Sequence, residues 1–128
     1  MSLKHFKEWC FFVLNISAAD ELDKIDEITW KQCISNALKR AHGIFGEQIE
    51  LYWLRIDDKM AFVKVGYTDK ETFKTAIATY VSSSDYVGTP LVISIEQESW
   101  NIRTIKVSEE DQLWLNKLIE EEIEDTET

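Results

Sequence analysis

The chain has 128 residues, of which 45% are hydrophobic and 30% are charged, and its formal net charge is -10. This length suits one domain with one core, and the composition excludes a disordered chain. No apolar run approaches the roughly 20 residues that span a bilayer. The acidic charge argues against tight RNA binding by the isolated chain, because such affinity comes first from neutralising phosphates.

The first third of the chain predicts a strand followed by a helix. Aromatic and β-branched residues predict a strand over residues 6–17, and the acidic stretch 18–28 predicts a loop. Thr29 is the expected N-cap of a helix over residues 30–42. Gly43 ends this helix, at a position where a left-handed residue is favoured.

The remaining elements follow in regular order. The patterns predict strands over residues 47–57 and 59–67 joined by the turn Asp57–Lys59, a helix over 70–82, and a strand over 91–98. Residues 102–107 predict a short extended piece. Ser108 then opens a third helix with a capping-box pattern.

This order of elements is that of the split βαβ, or ferredoxin-like, α+β fold. Right-handed crossovers place both main helices on one face of an antiparallel sheet. The extra C-terminal helix is expected to cover the other face only in part. We expect a single domain over residues 1–122 and an acidic tail over 123–128.

The cysteines and the N-terminus bear on localisation. Cys10 and Cys33 sit among core-type residues and are expected to be buried thiols. A reducing compartment follows, the nucleus or the cytoplasm. Residues 1–5 lead into the first strand with no small-residue cleavage site, so we expect no secretory signal.

Two strands are similar to the motifs of RNA-recognition domains, which share this topology. Phe11–Ile16 matches the first motif, whereas Asp58–Val65 lacks the basic residue, the glycine and one aromatic of the second. A stand-alone RNA-binding domain that uses Phe12, Met60 and Phe62 is therefore an alternative interpretation. A core or interface role for these residues is favoured, because any half-buried strand produces such matches.

Other candidate sites have plain structural explanations. Lys39, Arg40 and His42 at the end of the first predicted helix, with Lys31 earlier on the same helix, form the clearest basic cluster and are candidate RNA contacts, although cations near a helix C-terminus also offset its dipole. A third interpretation is a small enzyme that uses the adjacent aspartates at the 57–59 turn, but a turn favours such residues anyway. The chain has no HExxH, CxxC, EF-hand or glycine-rich phosphate motif, so we expect no cofactor and no bound metal.

Five tryptophans are many for a chain of this size. Trp30 starts the apolar face of the first helix. Trp9 and Trp53 are expected on the sheet face away from the helices, and exposed aromatic residues mark protein interfaces. The predicted partner-binding residues are Phe12, Trp53, Phe62, Trp9 and Trp100.

Several segments together resemble one family, the smallest acidic protein subunits of the fungal ribonuclease P and ribonuclease MRP particles. The matching segments are residues 6–9, 36–47, 56–59, 69–73, 87–91 and 111–117. The resemblance implies a non-catalytic subunit of a ribonucleoprotein endoribonuclease whose RNA is the catalyst, acting in precursor tRNA and precursor rRNA processing. It implies a heterodimer with a paralogous ferredoxin-like subunit, contact with a TIM-barrel-like subunit, mostly indirect contact with the RNA, and a place in the nucleus and nucleolus.

Overall fold

The computed structural model describes residues 8–20, 24–82 and 88–127. The strands and α-helices, in chain order, are β1 (Trp9–Ser17), α1 (Glu27–His42), β2 (Leu51–Asp57), β3 (Met60–Gly66), α2 (Lys70–Ala78), β4 (Val92–Ser99) and α3 (Gln112–Glu127). The four strands form one antiparallel sheet in the order β2-β3-β1-β4. The predicted ferredoxin-like α+β fold is confirmed.

The start of α1 differs from the prediction. The helix begins at Glu27 and Asp26, not Thr29, is its N-cap, since the Asp26 carboxylate accepts the Thr29 N–H at 2.8 Å. An aspartate is favoured there because its charge also complements the positive end of the helix dipole. Hydrogen bonds from the Thr29 side chain and from its backbone N–H lower the pKa of Asp26.

Other boundaries also moved. The strand predicted from residue 47 begins at Leu51, because Gly43–Gln48 forms a 3-10 turn. The helix predicted over 70–82 ends at Ala78, and Val81 instead forms a β-bridge with Val92. The third helix opens with a 3-10 turn and continues to Glu127, through most of the expected tail. The predicted strand start at residues 6–7 and the loop at 83–87 lie outside the described residues.

The face of the sheet under α1 and α2 carries the larger core. Phe12, Leu14, Val63 and their neighbours on alternate positions pack against Trp30 and Phe73. The predicted burial of both cysteines is confirmed, and both thiols are free. Burial raises the pKa of the Cys33 thiol to about 11 and also raises that of Cys10.

The opposite face is covered by α3 and by residues 102–107. Phe11, Val13 and Phe62 pack there against Leu115 and Leu118 of α3, with Ile102 and Ile105 completing the cluster. The helix covers only part of this face, as expected, and together with residues 102–107 it leaves Phe11 only 7% and Phe62 only 6% exposed. Across the described ranges, no helix has both the length and the apolar character needed to cross a bilayer.

Candidate functional site

An aromatic cleft of about 640 Å³ opens at one end of the sheet. The start of β1, the end of β3 and the turn after β4 meet there, and α3 supplies a wall. We call this site the aromatic cleft, and its lining residues are Glu8, Trp9, Phe11, Tyr67, Trp100, Asn101, Ile102, Arg103, Glu122 and Ile123. Trp100 is 75% exposed, so its ring presents a broad apolar surface to the solvent.

A network of short-range hydrogen bonds holds the turn that carries Trp100. The Ser99 hydroxyl accepts the Asn101 N–H at 3.0 Å and lies close to the Thr104 hydroxyl. The Thr104 hydroxyl in turn donates to the Asn101 carbonyl at 2.8 Å. Ile102, 6% exposed, anchors the turn in the core under α3. The exposed tryptophan is therefore presented on a fixed backbone.

A buried ion pair forms the floor beside Trp9. The Lys64 Nζ lies 3.0 and 2.9 Å from the two carboxylate oxygens of Glu122, and their side chains are 12% and 11% exposed. The same ammonium lies 4.6 Å from the centroid of the Trp9 ring. Trp9 also packs edge-on against Tyr52, with ring centroids 5.4 Å apart. The pair ties the far end of α3 to the sheet.

The five predicted partner-binding residues separate into two groups. Trp9 and Trp100 line the aromatic cleft. Phe12 is 1% exposed in the core beneath the helices, and Phe62 is 6% exposed beneath α3. Trp53 lies on the face of the sheet that meets α1 and not on the opposite face, with its ring centroid 6.4 Å from that of Trp30. The placement predicted for Trp53 is wrong, because alternation separates the two faces of a strand without identifying which one meets the helices.

Most of the basic side chains of α1 that are candidate RNA contacts bind other groups of the domain. Lys31 pairs with Glu27 at 2.8 Å one turn earlier. The Arg40 guanidinium donates to the Thr79 carbonyl. The His42 Nε2 lies 3.0 Å from the carbonyl oxygen of Thr72. Arg40 and His42 thus connect α1 to α2, while Lys39 lies exposed on the last turn of α1. RNA contact by these residues stays a prediction.

The adjacent aspartates build the β2–β3 turn. Asp58 has a positive φ of 53°, and its carboxylate accepts the Ile25 N–H at 2.9 Å. Its carbonyl accepts the Trp30 indole N–H at 2.6 Å. Asp57 lies 3.6 Å from the Arg55 guanidinium. Within the described ranges, no three His, Cys, Asp or Glu side chains gather as metal ligands would.

Sequence reasoning missed the Lys64–Glu122 pair, Tyr67 and Arg103. One signal was available for Lys64, because it lies two residues after Phe62 and therefore shares with it a strand face that is otherwise apolar. A charged residue at such a position needs a partner. Its partner is 58 residues away along the chain, which no local pattern reveals.

The fold and the cleft define a small ferredoxin-like domain whose exposed site is a rigid aromatic surface. The model of the family described as "Ribonucleases P/MRP protein subunit Pop8" matches residues 8–80. The Saccharomyces cerevisiae protein named ribonucleases P/MRP protein subunit POP8 is 46% identical over 129 aligned positions, which cover 98% of this chain and 97% of the relative.

A solved structure gives the same relationship. A chain in the cryo-EM structure of yeast ribonuclease MRP superposes with a TM-score of 0.81 at 46% sequence identity, covering 96% of this chain and 97% of that chain. The chain belongs to the Pop8 family of ribonuclease P/MRP protein subunits. The family identified from the sequence resemblance is confirmed.

Proposed function

We propose that this protein is a non-catalytic subunit of ribonuclease P and ribonuclease MRP. It supports precursor tRNA 5′-leader cleavage and precursor rRNA processing through protein–protein assembly around the catalytic RNA. The observation that carries the proposal is the 46% identity to the yeast subunit, which extends over 98% of this chain. An identity that runs through the whole chain includes core and surface together, which favours a shared place in an assembly.

The proposed partners are a paralogous ferredoxin-like subunit, a TIM-barrel-like subunit and, mostly indirectly, the ribonuclease P and MRP RNAs. The net charge of -10 supports indirect RNA contact, because phosphates are repelled by an acidic surface. The rigid, exposed Trp100 supports a protein partner, because tryptophan is enriched among interface hot spots.

A non-catalytic role is supported by the work that the candidate acids do in the fold. Asp58 holds the Ile25 N–H at 2.9 Å in a turn, and Asp57 lies beside Arg55. We expect particles that contain Asp57→Asn and Asp58→Asn to cleave precursor tRNA at the wild-type rate. A loss of the chemical step at full assembly would contradict a non-catalytic role.

The alternative, a stand-alone RNA-recognition domain, is not favoured. Its stacking residues Phe12 and Phe62 are 1% and 6% exposed, so bases have no access to their rings. We expect the purified chain to bind ribonuclease P RNA only weakly at moderate salt. Tight, specific binding in that titration would restore the alternative.

Affinity purification of the tagged full chain from cells tests the assembly role. We expect ribonuclease P RNA and MRP RNA to be enriched together with their protein subunits, compared with a tag-only control. The proposed nuclear and nucleolar location predicts that a fluorescent fusion concentrates there. Recovery of neither RNA would refute the proposed function.

A further inference from the structure

We infer that the Lys64–Glu122 ion pair is a latch that holds the far half of α3, residues 120–127, against the sheet, and that release of this latch opens the aromatic cleft. The inference concerns a movement within the domain, so it does not depend on the proposed subunit role. It is supported by the unequal attachment of the two halves of α3, the surroundings of both charges, and the position of the pair in the wall of the cleft.

The two halves of α3 are attached to the sheet by different interactions. The first half packs through apolar side chains, with Leu115 2% and Leu118 8% exposed. Of the described side chains at positions 120–123, only Glu122 is buried, and its carboxylate contacts the Lys64 ammonium. Apolar burial stabilises the first half directly, whereas the desolvation of a buried ion pair offsets most of its attraction. The far half is therefore the easier half to lift from the sheet.

Both charges of the pair keep favourable surroundings when the end of the helix lifts. The Lys64 Nζ lies 4.6 Å from the ring centroid of Trp9 and 5.5 Å from that of Tyr52. These two rings continue to hold the ammonium when the carboxylate leaves. The Glu122 carboxylate moves into water, where an ionised group is well solvated. Opening therefore leaves no buried charge without a partner, so the release is reversible.

The end of α3 has little helical stability of its own. The sequence over residues 120–127 contains six acidic residues and no basic one. Negative charge near a helix C-terminus opposes the helix dipole, so these residues weaken the last turns. The contact between Glu122 and Lys64 offsets one of these charges, and it does so only while the helix lies on the sheet.

The latch forms part of the wall of the aromatic cleft. Glu122 and Ile123 of α3 line the cleft together with Phe11 and Ile102. While α3 is in place, Phe11 is 7% and Ile102 is 6% exposed. Lifting the far half of α3 removes that wall and uncovers both side chains. The cleft thus has a closed form, which the structure shows, and a wider open form.

Hydrogen exchange of the purified full chain, followed by mass spectrometry, tests the latch. Lys64→Met leaves Glu122 buried without its counter-ion, so we expect residues 120–127 to exchange roughly tenfold faster or more, while α1 keeps its protection. Adding Glu122→Leu replaces the pair with apolar side chains and should restore the protection. Lys64→Met combined with Glu121→Leu is the matched control, because Glu121 is the exposed neighbour, and this variant should stay unprotected.

Three results of this experiment would overturn the inference. The first is wild-type exchange in Lys64→Met. The second is a loss of protection in α1 as well as in residues 120–127, which would make the pair a support of the whole fold. The third is that Glu122→Leu restores no more protection than Glu121→Leu does.

A thiol in the wall of the cleft gives an independent measure of opening. Ile123→Cys places a thiol on α3 at a position that lines the cleft, whereas Cys10 and Cys33 are buried. We expect a maleimide to modify the new thiol roughly tenfold faster in the Lys64→Met background than with Lys64 present, and the native thiols to stay unmodified in both. Equal rates would overturn the inference. Modification of the native thiols at the same rate would also overturn it, because the whole domain would then be opening.

Discussion

Replacing Trp30 with alanine should remove a large share of the stability of the domain. Trp30 is 0% exposed, packs against Trp53, and donates its indole N–H to the Asp58 carbonyl. Burial of about 200 Å² of side chain at about 25 cal/mol/Å² gives about 5 kcal/mol, within the range of about 3–5 kcal/mol seen for such core truncations. The unpaired carbonyl of Asp58 adds about 1–3 kcal/mol.

Native domains are stable by only about 5–15 kcal/mol, so Trp30→Ala should be close to unfolding at room temperature. Urea titration followed by circular dichroism measures the free energy of unfolding without relying on tryptophan fluorescence. Trp30→Phe keeps a ring but loses the donor, and it should retain more stability than Trp30→Ala. Trp100→Ala is the exposed control and should stay within about 0.5 kcal/mol of wild type. A Trp30→Ala midpoint equal to that of the control would refute the assigned core.

Three further predictions concern the turn, the thiols and the α3 face. Asp58→Ala should lose about 1–3 kcal/mol of unfolding free energy, because it leaves the Ile25 N–H unsatisfied and places an alanine at a positive φ. Asp58→Asn should lose less, and thermal unfolding compares the two variants. The Cys33 thiol has a pKa of about 11 in the folded protein, against a usual value of 9.0. Its contribution to the free energy of unfolding is therefore present below pH 9 and is lost as the pH rises toward 11. Urea titrations at pH 9 and pH 11 should show a smaller fall in the free energy of unfolding for Cys33→Ala than for wild type. Phe62→Glu should unfold the domain rather than break an interface, because Phe62 packs 4.9 Å from the Trp114 ring, and a folded Phe62→Glu protein by circular dichroism would contradict this.

The topology could be predicted from the sequence because each element has its own hydrophobic period and is bounded by turn or capping residues. The apolar face of α1 and the turn at Asp57–Lys59 both lie where the patterns placed them. The predicted details of the elements were wrong where contacts between residues distant in the sequence determine them. β2 shows this best: its pairing with β3 shifts register between Trp53 and Arg55, so strict alternation does not hold along the strand.

The site was harder to predict than the fold because its residues meet only in three dimensions. Trp9 and Trp100 were singled out as aromatic residues, but nothing local places them in one cleft. Tyr67 follows β3, and Ile123 lies near the far end of the chain. Their meeting depends on the β1–β4 register, which pairs Phe11 with Ser99, and on the long-range contact of Lys64 with Glu122.

The segments that carry the family resemblance do structural work. In residues 36–47, His42 contacts the Thr72 carbonyl, Gly43 takes a positive φ of 61°, and Gly46 leaves no room for a Cβ beside the Leu38 carbonyl. In residues 56–59, Asp58 fixes the turn. These positions specify the frame of the domain, and they lie away from the lining of the aromatic cleft.

The cleft joins two parts of the chain; the family model matches only the first, whereas the 46% identity to the yeast relative extends over both. Trp9 and Tyr67 fall within residues 8–80, which the family model matches, whereas Trp100 and the α3 wall lie beyond it. The first part provides Trp9 and the lysine beside its ring, and the second provides the exposed Trp100 ring and Glu122, which pairs with that lysine. Since an exposed residue is free of packing constraints, replacement of Trp100, which is 75% exposed, should leave the fold intact. The shape of the cleft therefore depends on both parts of the chain, which are joined by the ion pair between Lys64 and Glu122.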